Sequence, residues 1–381
     1  MSINKIYPII LGVSLTAFTA YISLDTFAVP DVYKQVEENN SFVFKTPASS
    51  DTTPDPYDPK KSDKPVTSVL LPQTTILSEK SQSVIPVSNP ASTQTAGESS
   101  QYKNTQNNQD NGNNIPSVTY ADTQQTEPET VQPQYSDPVI TENTYSDSNI
   151  QINITSYREY DTDIYVADIT VSSLEYLRTA LADNSYGKNV TAKTSKIAGD
   201  SNAIFAVNGD YYGARESGYV IRNGVLYRDE TSDNRQDLVI WADGSFQIIN
   251  ENEITADMLL DMGAYQVLSF GPGLVSDSNI TVSENEEVSQ AMVSNPRTAI
   301  GILESNHFIF VVSDGRTSQS SGLSLYELAG FMKNLGAYTA YNLDGGGSSA
   351  MYFNGRIINN PTADGRKFKE RSVSDIVYIG Y

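Results

Sequence analysis

The sequence predicts an α+β protein, with a single mixed-sheet domain behind an N-terminal membrane anchor and a disordered stalk. Three observations lead to this prediction. An uncharged apolar run lies near the start of the chain, a long polar segment follows it, and the last 233 residues carry many short apolar runs between turn residues. We therefore expect three parts, at residues 1–24, 25–148 and 149–381.

The first part is a candidate membrane anchor. Residues Ile6 to Leu24 carry no charge, Lys5 precedes them and Asp25 follows. A run of about 19 residues suits one bilayer crossing at about 1.5 Å per residue. With Lys5 on the cytoplasmic side, the rest of the chain lies outside the cytoplasm. A cleaved signal peptide is the alternative. We therefore expect a single-pass protein of the cell membrane with an extracellular domain, or a secreted protein if the segment is cleaved.

The second part, residues 25–148, is the predicted stalk. Gln, Asn, Ser, Thr, Pro and Asp dominate it, and its 17 acidic and 7 basic residues give a net charge of −10. Because such a segment buries too little apolar surface to offset its conformational entropy, we expect it to be disordered. It should then contribute nothing to the folded core.

The third part, residues 149–381, is long enough for one sizeable core. Its apolar runs are short, rich in β-branched and aromatic residues, and mostly end in Gly, Asp or Asn, which is typical of strands. Helical periodicity occurs at Leu174–Leu181, Ile254–Met262 and Leu323–Leu335. The predicted strands are Ile150–Ile154, Ile164–Val171, Ala203–Val207, Tyr219–Ile221, Leu238–Trp241, Thr298–Ile302, Phe308–Val312, Tyr338–Leu343 and Ser374–Tyr378.

Composition restricts the chemistry. With 25 Lys and Arg against 46 Asp and Glu, the chain has a net charge of −21, which argues against nucleic acid as a partner. The absence of Cys removes disulfides, thiol nucleophiles and Cys-zinc sites. The single His, His307, excludes a multi-His metal centre and supports a Ser-His-Asp triad only poorly. Carboxylates, Arg, hydroxyls and backbone amides must therefore carry any chemistry.

Three predicted strands end in an Asp beside Gly. A strand that ends in this way delivers a carboxylate to the edge of a sheet, and Gly allows a ligand or another backbone to approach closely. Each ending alone is also typical of a turn. Together the three predict a shared carboxylate site. The endings are Asn208-Gly209-Asp210, Ser313-Asp314-Gly315 and Asn342-Leu343-Asp344-Gly345.

A glycine-rich loop follows the third ending. The segment from Gly345 to Ser349 lacks the Lys of a Walker loop. Successive amides in such a loop can form a concave anion site to which Ser hydroxyls add donors, and a tight turn between strands is the alternative. Arg297 and Arg316 lie beside these motifs, and a guanidinium group matches the geometry of phosphate. Ion pairs with Asp or Glu are the alternative role of both arginines.

Six phrases of the sequence resemble the phosphodiester glycosidase family. They are FAVNGDYYG (205–213), SGYVIRNGVLYRD (217–229), SFGPGLV (269–275), NPRTAIG (295–301), VSDGR (312–316) and YNLDGGGSSAMYFNG (341–355). They occur in the family's order, over about Leu174 to Tyr381. The resemblance is to bacterial, exopolysaccharide-related members, because the Cys-rich region of the animal members is absent. It implies an α+β catalytic domain that hydrolyses the C1–O bond between a sugar and a phosphate.

The resemblance also implies which residues form the site. The family's motif residues fall on Asn208, Gly209, Asp210, Arg297, Thr298, Asp314, Gly315, Arg316, Asn342, Asp344, Gly345, Gly346, Gly347 and Ser348.

Physical reasoning assigns a hypothetical role to each main residue. Most glycosidases use two carboxylates, and we expect Asp344 and Asp210 to be that pair. Arg297, with the amides of Gly345–Gly347 and the hydroxyl of Ser348, would hold the phosphate by preorganised donors.

Asp314 and Arg316 are second candidates for the same site, and Asn208 also has an assigned role there. Asp314 would bind sugar hydroxyls, Arg316 would clamp the phosphate, and Asn208 would hydrogen-bond the sugar. The expected substrate is a phosphate-linked glycan of a cell wall or exopolysaccharide. No cofactor is required, and a divalent cation such as Ca²⁺ stays open as an alternative. Two other interpretations stay open. One is a phosphodiesterase assisted by Ca²⁺, which would break the P–O bond, and the other is a glycan-binding module without catalysis.

Overall fold

The computed structural model describes residues 15–19, 29–36, 137–285 and 294–381. Residues 15–19, which are helical, are the part of the predicted anchor that falls within these ranges. None of the helices in the four ranges is long and apolar enough to cross a membrane. The rest of the predicted anchor and most of the predicted stalk lie outside the described residues.

Most of the regular structure in these ranges is β-sheet. The first half of the chain order is β1 (Asp31–Gln35), β2 (Val139–Ile140), β3 (Thr144–Ser146), β4 (Ile150–Glu159), β5 (Thr162–Val171), β6 (Leu177–Leu181), β7 (Ser185–Lys188), β8 (Ala192–Lys193), β9 (Phe205–Asn208), β10 (Val220–Arg222) and β11 (Val225–Arg228). The second half is β12 (Gln236–Trp241), β13 (Phe246–Asn250), β14 (Ala264–Leu268), β15 (Gly273–Ser276), β16 (Asn279–Ile280), β17 (Arg297–Glu304), β18 (His307–Ser313), β19 (Thr339–Asn342), β20 (Met351–Phe353), β21 (Arg356–Ile357), β22 (Ser372–Val373) and β23 (Asp375–Ile379).

Helices are few and short by comparison. Beyond residues 15–19, the described α-helices are α1 (Thr194–Asp200), α2 (Ala256–Asp261) and α3 (Leu325–Asn334). Single 3-10 turns occur at Leu174–Tyr176, Ala182–Asn184, Tyr212–Ala214 and Gly346–Ser348.

The largest sheet has nine strands in the order β16-β15-β19-β17-β18-β5-β4-β3-β2. Its longest pair is β4 and β5, which is in register from Ile150 opposite Val171 to Glu159 opposite Thr162. In β4 buried Ile alternates with exposed polar residues, so one face of the strand packs on the core and the other meets water. The alternation in the sequence thus sets the orientation of this strand.

Two five-stranded sheets pack against one face of the large sheet. Their strand orders are β11-β10-β14-β12-β13 and β21-β20-β9-β23-β6. Apolar side chains from all three sheets form the main core. Phe205 of one small sheet lies 5.0 Å from Phe310 of the large sheet, and Phe246 of the other lies 5.5 Å from Phe308, measured between ring centroids. The junction of the three sheets is therefore a closely packed apolar layer.

The helices cover the outer faces of the sheets. Helix α3 packs its apolar stripe on the far face of the large sheet, while α1 and α2 each pack on one small sheet. Helix α3 begins at a capping box in which Ser324 and Glu327 satisfy each other's backbone amides. It stops before Gly336, whose φ of +94° lies in the left-handed region. The predicted helix at Leu323–Leu335 is confirmed.

The prediction that the sheet of this domain is mixed is wrong. The described strands form three larger sheets, and every pairing in them is antiparallel. Short connections explain this difference. Tyr160 and Asp161 join β4 to β5, and Asn223 and Gly224 join β10 to β11, all with positive φ. Such two-residue turns join antiparallel neighbours, whereas parallel neighbours need a long crossover.

The helix predicted at Leu174–Leu181 is also wrong. One 3-10 turn occupies Leu174–Tyr176, and β6 then pairs with β23. In β6 Leu177, Thr179 and Leu181 are buried while the residues between them are partly exposed, which is the two-residue period of a strand. A segment of this length fits both periods, and pairing with β23 decides between them.

The folded part begins before the predicted boundary at Asn149. Strands β2 and β3 extend the large sheet beyond β4, and the ring of Tyr145 is buried in the main core. These two strands continue the sheet past β4, and Tyr145 covers part of the apolar core. Residues whose composition resembles the stalk therefore belong to the sheet.

A strand near the start of the predicted stalk is also part of the fold. Strand β1 pairs antiparallel with β7, and Val36 N donates a hydrogen bond to the backbone O of Asn184 at 2.9 Å. The ring of Tyr33 lies 6.0 Å from that of Tyr186. The expectation that the stalk contributes nothing to the domain is therefore wrong near both of its ends.

Candidate active site

The three predicted strand ends lie close together. Asn208, at the end of β9, donates from Nδ2 to the backbone O of Asp344 at 2.6 Å, and Asp344 N donates to Gly209 O at 3.2 Å. The third strand end, at Gly315, and the glycine after Asp344 both pack against Pro296. A Cβ atom added to Gly315 would lie 2.6 Å from Pro296 N, and one added to Gly345 would lie 2.9 Å from Pro296 O. Glycine is required at both contacts.

Asp344 lies at the open side of this meeting point. Its side chain is 10% exposed, and Arg371 Nη2 is 3.1 Å from its Oδ2. Burial raises the pKa of the Asp344 carboxyl above its usual range, although Arg371, the Ser348 hydroxyl and Arg215 act in the opposite direction. Burial and nearby positive charge therefore shift the pKa of this carboxyl group in opposite directions. Such a combination is typical of groups in functional sites.

No motif in the sequence points to Arg371. It lies in the loop between β21 and β22, its side chain is 43% exposed, and its backbone N donates to Gly347 O at 3.3 Å. Its guanidinium group lies 5.4 Å above the centre of the Tyr211 ring. Tyr211 is exposed and has a φ of +69°, so the turn after β9 aims this ring at the same opening. Only the fold reveals this contact, because 27 residues separate Arg371 from Asp344.

The glycine loop brings a second arginine to the same place. Gly346 has a φ of +62°, and a Cβ atom there would lie 2.9 Å from Nη2 of Arg316. A Cβ atom on Gly347 would lie 3.5 Å from Cδ of Arg371. The absence of side chains in the loop therefore allows both guanidinium groups to approach its backbone.

Two of the three amides expected to bind an anion are already used inside the protein. Gly346 N donates to Pro296 O at 2.7 Å, and the Gly345 amide hydrogen-bonds the Asp344 carboxylate. The loop thus supports Asp344 and accommodates the arginines, and it does not offer a complete nest of free amides.

Three arginines lie near Asp344 and the glycine loop: Arg371 and Arg215 act on the Asp344 carboxyl, and Arg316 approaches Gly346. Arg316 donates to Asn295 Oδ1 at 2.9 Å and to Ala363 O at 2.7 Å, and Arg215 donates to the backbone O of Ser269 at 3.0 Å. Within the described residues neither of these two arginines has an ion-pair partner. Partial burial and the charge of Arg371 lower the pKa of Arg316. Together with Arg371 they leave an excess of positive charge beside Asp344 and the glycine loop that follows it.

Asp210 has a different environment. Its side chain is fully buried, and Arg222 Nη2 donates to its Oδ2 at 2.7 Å. Ser269 N also donates to Oδ2 at 2.7 Å, and Tyr212 N donates to Oδ1 at 3.1 Å. Burial alone would raise the pKa of Asp210, but Arg222 and the Ser269 amide bring it below its usual range. Asp210 is therefore an ionised group whose oxygens are occupied by protein donors.

Arg222 joins Asp210 to a second buried acid, Asp375. Arg222 Nε donates to Asp375 Oδ2 at 2.9 Å, and Arg222 also donates to the backbone O of Val267. Burial and the neighbouring charge of Asp210 raise the pKa of Asp375 to about 7, against the effect of Arg222. A Cβ atom on Gly209 would lie 2.1 Å from Asp375 Oδ1, so this glycine is needed for the packing. The one available sequence signal was an arginine inside an apolar strand, since a buried arginine requires acidic partners.

Asp314 holds a loop in place. Its Oδ1 accepts from Asn359 Nδ2 at 3.2 Å and from Asn360 N at 2.8 Å, and its Oδ2 accepts from Asn360 Nδ2 at 3.0 Å. Tyr165 OH lies 3.4 Å from the same Oδ2. These contacts occupy the carboxylate and tie the end of β18 to the chain that follows β21.

The remaining predicted residues connect the strands beneath the site. Thr298 Oγ1 donates to Asn208 Oδ1 at 2.8 Å, Asn342 Nδ2 donates to Gly271 O at 2.8 Å, and Arg297 Nε donates to Leu323 O at 2.9 Å. All four side chains are buried. Both ends of the Asn208 amide contact protein groups, so its geometry suits a scaffold rather than a contact to sugar.

A metal centre is not evident among the described residues. There, no group of three or more Asp, Glu or His side chains is arranged to hold a metal ion. His307, at the start of β18, pairs with Asp168 at 2.7 Å on the large sheet, among the surface residues.

Comparison with known proteins finds a family model that matches the part of the chain carrying this site. Residues 201–380 match the family model described as phosphodiester glycosidase, and this range contains all of the site residues described above except Tyr165 and Asp168. An uncharacterized prophage-derived protein of Bacillus subtilis is 33% identical over 186 residues, which is 47% of this chain and 28% of that protein. The mouse enzyme named N-acetylglucosamine-1-phosphodiester alpha-N-acetylglucosaminidase is 31% identical over 109 residues, which is 26% of this chain and 21% of the enzyme. The chain thus spans less than a third of either relative.

A solved structure supports the fold. The catalytic domain of the zebrafish N-acetylglucosamine-1-phosphodiester alpha-N-acetylglucosaminidase superimposes with a TM-score of 0.50 at 21% identity, over 61% of this chain and 83% of that domain. At this identity the likeness concerns the arrangement of strands and helices.

Proposed function

We propose that residues 201–380, which match the family model described as phosphodiester glycosidase, form a domain that hydrolyses the C1–O bond of a sugar-1-phosphodiester. The observation that supports this most directly is the pair between Asp344 and Arg371, with the charge of Arg215 also acting on Asp344 and Arg316 beside Arg371. A phosphodiester at the anomeric carbon places a negative charge next to the reacting atom. One carboxylate within an excess of positive charge suits that substrate.

In this proposal Asp344 acts on the anomeric carbon. Phosphate is a good leaving group, so the site needs little proton donation and must instead supply a carboxylate that attacks C1 or activates a water molecule. Arg371 opposes the rise in the pKa of Asp344 that burial causes and orients the carboxylate through the 3.1 Å contact. Arg316 and Arg215 stabilise the charge that grows on the phosphate as the C–O bond breaks.

Asp210 takes a positioning role in the same proposal. Its oxygens are occupied by Arg222, Ser269 and Tyr212, which leaves it poorly placed to act as the second carboxylate expected from the sequence. It holds the turn that carries Tyr211 toward Arg371. A single carboxylate is sufficient when the leaving group needs no acid.

The substrate we propose is a sugar-1-phosphodiester within a phosphate-linked wall polymer or exopolysaccharide. The apolar run Ile6 to Leu24 supports an extracytoplasmic location, where such polymers occur. The name of the mouse relative supports N-acetylglucosamine as the first sugar to test. Incubation with teichoic acid, capsular phosphopolymer and simple sugar-1-phosphodiesters, followed by mass spectrometry, identifies the polymer and the sugar. Fractionation of cells tests the location.

Hydrolysis in ¹⁸O-labelled water tests which bond is broken. We expect the label on C1 of the released sugar, because water attacks the anomeric carbon or the glycosyl intermediate. Label on the phosphate would show P–O cleavage and would replace this proposal with the phosphodiesterase interpretation. Binding of polymer without release of sugar would instead indicate a glycan-binding module.

We further propose that no metal ion takes part in the reaction. Arg215, Arg316 and Arg371 supply the positive charge that a cation would otherwise provide. Turnover should therefore be unchanged by EDTA. A loss that Ca²⁺ restores would reject the metal-free mechanism without deciding which bond breaks.

A further inference from the structure

Residues 361–371, which we name the basic loop, include Arg371 and contact Arg316. With Arg215, these two arginines form what we call the arginine cluster. The backbone O of Ala363 accepts a hydrogen bond from Arg316 Nη1 at 2.7 Å, and Arg371 N donates to Gly347 O at 3.3 Å. Within the loop, Lys369 N donates to Pro361 O at 2.7 Å and Gly365 N donates to the Thr362 hydroxyl at 2.9 Å. The loop is therefore an ordered border of the active site, held to it by backbone contacts.

The charge of this loop is opposite to that of the protein. Four of the chain's 25 Lys and Arg residues lie in these 11 residues, although the chain as a whole carries −21. The two acids of the loop have partners. Glu370 accepts from Ser195 N at 2.9 Å and from its Oγ at 2.7 Å, and Asp364 accepts from Arg366 N at 3.0 Å. The positive charges thus outnumber the negative ones at the border of the site.

Three cations of the loop face solvent. Arg366, Lys367 and Lys369 are exposed, and none of them takes part in an ion pair with another described residue. In a protein with almost twice as many acids as bases, these three neighbouring cations form a local patch of positive charge. Its position next to the arginine cluster indicates an anionic ligand larger than one phosphate.

Phe368 lies between two of these cations. Its side chain is 67% exposed, the highest value for a large apolar side chain in the described residues. It contributes little to the core of the protein. An exposed aromatic ring with a charged neighbour on each side offers an apolar face to a ligand together with charge-assisted hydrogen bonds.

We propose that the basic loop is a second binding site, which takes the sugar-phosphate unit next to the one that is cleaved. This proposal rests on the proposed function, because it assigns the substrate class as a polymer with repeated phosphates. The ring of Phe368 packs on the sugar, and Lys367 and Lys369 pair with its phosphate. Lys369 is two residues from Arg371, so along an extended chain their backbones are within about 7 Å. One polymer segment can therefore contact both sites.

The test compares how efficiently the full-length protein turns over two substrates. One is a short sugar-1-phosphodiester with a single phosphate, and the other is an oligomer of phosphate-linked sugars. The wild-type protein should prefer the oligomer in kcat/KM. The double variant Lys367→Ser with Lys369→Ser, and separately Phe368→Ala, should each lower this preference about tenfold, mainly through KM. The preference of the wild-type protein should also fall as salt is raised, since exposed charges are screened.

Matched controls exclude a general effect of charge or exposed rings. Lys333→Ser removes an exposed cation at the end of α3, and Tyr326→Ala removes an exposed ring on the same helix. Neither should change the preference. Thermal unfolding of every variant checks that the fold is retained.

The outcomes separate this proposal from the proposed function. If the basic-loop variants turn over both substrates and keep the wild-type preference for the oligomer, the proposed second site is wrong and the proposed function stands. No turnover of either substrate, with calorimetric binding of the oligomer that still depends on the basic loop, would reject the function and keep the site. Equal binding of a single-stranded oligonucleotide through the same residues would overturn the assignment to a phosphate-linked glycan.

Discussion

Two clusters of carboxylates and arginines lie within this domain, and they are built in opposite ways. In one, Arg222 is enclosed by Asp210 and Asp375, and all three side chains are buried. In the other, Asp344 is partly open to solvent and Arg371, at 43% exposure, reaches it from a loop. The first has more acid than base, and the second has more base than acid.

This difference in burial and charge balance determines what each cluster can do. A buried ion pair whose oxygens are all occupied has nothing left for a substrate, so its value is to hold β9, β10 and β23 together. An acid at an opening, with positive charge in excess, can bind an anion and react. We expect damage to the buried cluster to affect folding and damage to the open cluster to affect turnover.

The largest expected effect follows from Arg222→Met. The substitution leaves Asp210 and Asp375 buried without a counter-ion, which costs about 3–5 kcal/mol of unfolding free energy. Arg371→Met breaks a half-exposed pair and should cost less than about 1 kcal/mol, while it reduces turnover about 10²-fold. Urea unfolding and kcat/KM measured on both variants check this contrast. Similar losses of stability in the two variants would contradict it.

The pH dependence of stability should reveal Asp375. The pKa of this group is raised from 3.8 to about 7 in the folded protein. Its proton stabilises the fold fully below the unfolded pKa, and this contribution is lost as the pH rises through about 7. We therefore expect the unfolding free energy to fall between pH 4 and 7 in the wild-type protein, relative to Asp375→Asn. Parallel pH profiles for the two proteins would show that Asp375 is ionised throughout.

Gly346→Ala combines strain with crowding of Arg316. A φ of +62° is unfavourable for Ala, by about 1–2 kcal/mol, and the new Cβ atom would lie 2.9 Å from Nη2 of Arg316. Turnover should fall more than the folded fraction does. Gly263→Ala is the matched control, because Gly263 has a φ of +98° with nothing within 4 Å of the added atom. If both variants keep normal specific activity, Arg316 has no part in the reaction.

The smallest expected effect concerns β1. Deletion of residues 29–36 removes the pairing with β7 and the contact between Tyr33 and Tyr186. We expect the thermal midpoint to fall by a few degrees, since about 1 kcal/mol corresponds to roughly 2–4 °C in a domain of this size. A protein that starts at residue 149 should fall further, because it also loses Tyr145 from the core. Unchanged midpoints would show that β1 is not docked in solution.

The sequence predicted the strands well because their signal is local. Alternation in β4 and the apolar runs of β17 and β18 are visible in a few neighbouring residues. It also predicted that the endings at Asp210, Asp314 and Asp344 come together. It could not tell the three apart, because the sequence around each Asp is alike whether its partner is the buried Arg222, the half-exposed Arg371 or a loop amide.

The functional residues that the sequence analysis did not identify were missed for one common reason. Arg371 and Asp375 act on groups that are far away in the chain, and only the pairing of β23 with β9 brings Asp375 to Arg222. Strand β1 was missed because its five residues carry no more apolar surface than the segment around it, and its stability comes from the edge of β7. Composition measures what a segment can bury alone and not what it can add to an existing sheet.

The central claim is that the open cluster performs the chemistry and the buried cluster holds the fold. It is tested most directly by measuring kcat/KM on a sugar-1-phosphodiester, with the thermal midpoint, for Asp344→Asn and Asp210→Asn side by side. We predict that Asp344→Asn loses about 10²–10⁴-fold in kcat/KM with a midpoint within about 3 °C of the wild-type protein. Asp210→Asn should lose mainly stability, with activity that follows the folded fraction. A stable Asp210→Asn without activity, beside an active Asp344→Asn, would contradict the account.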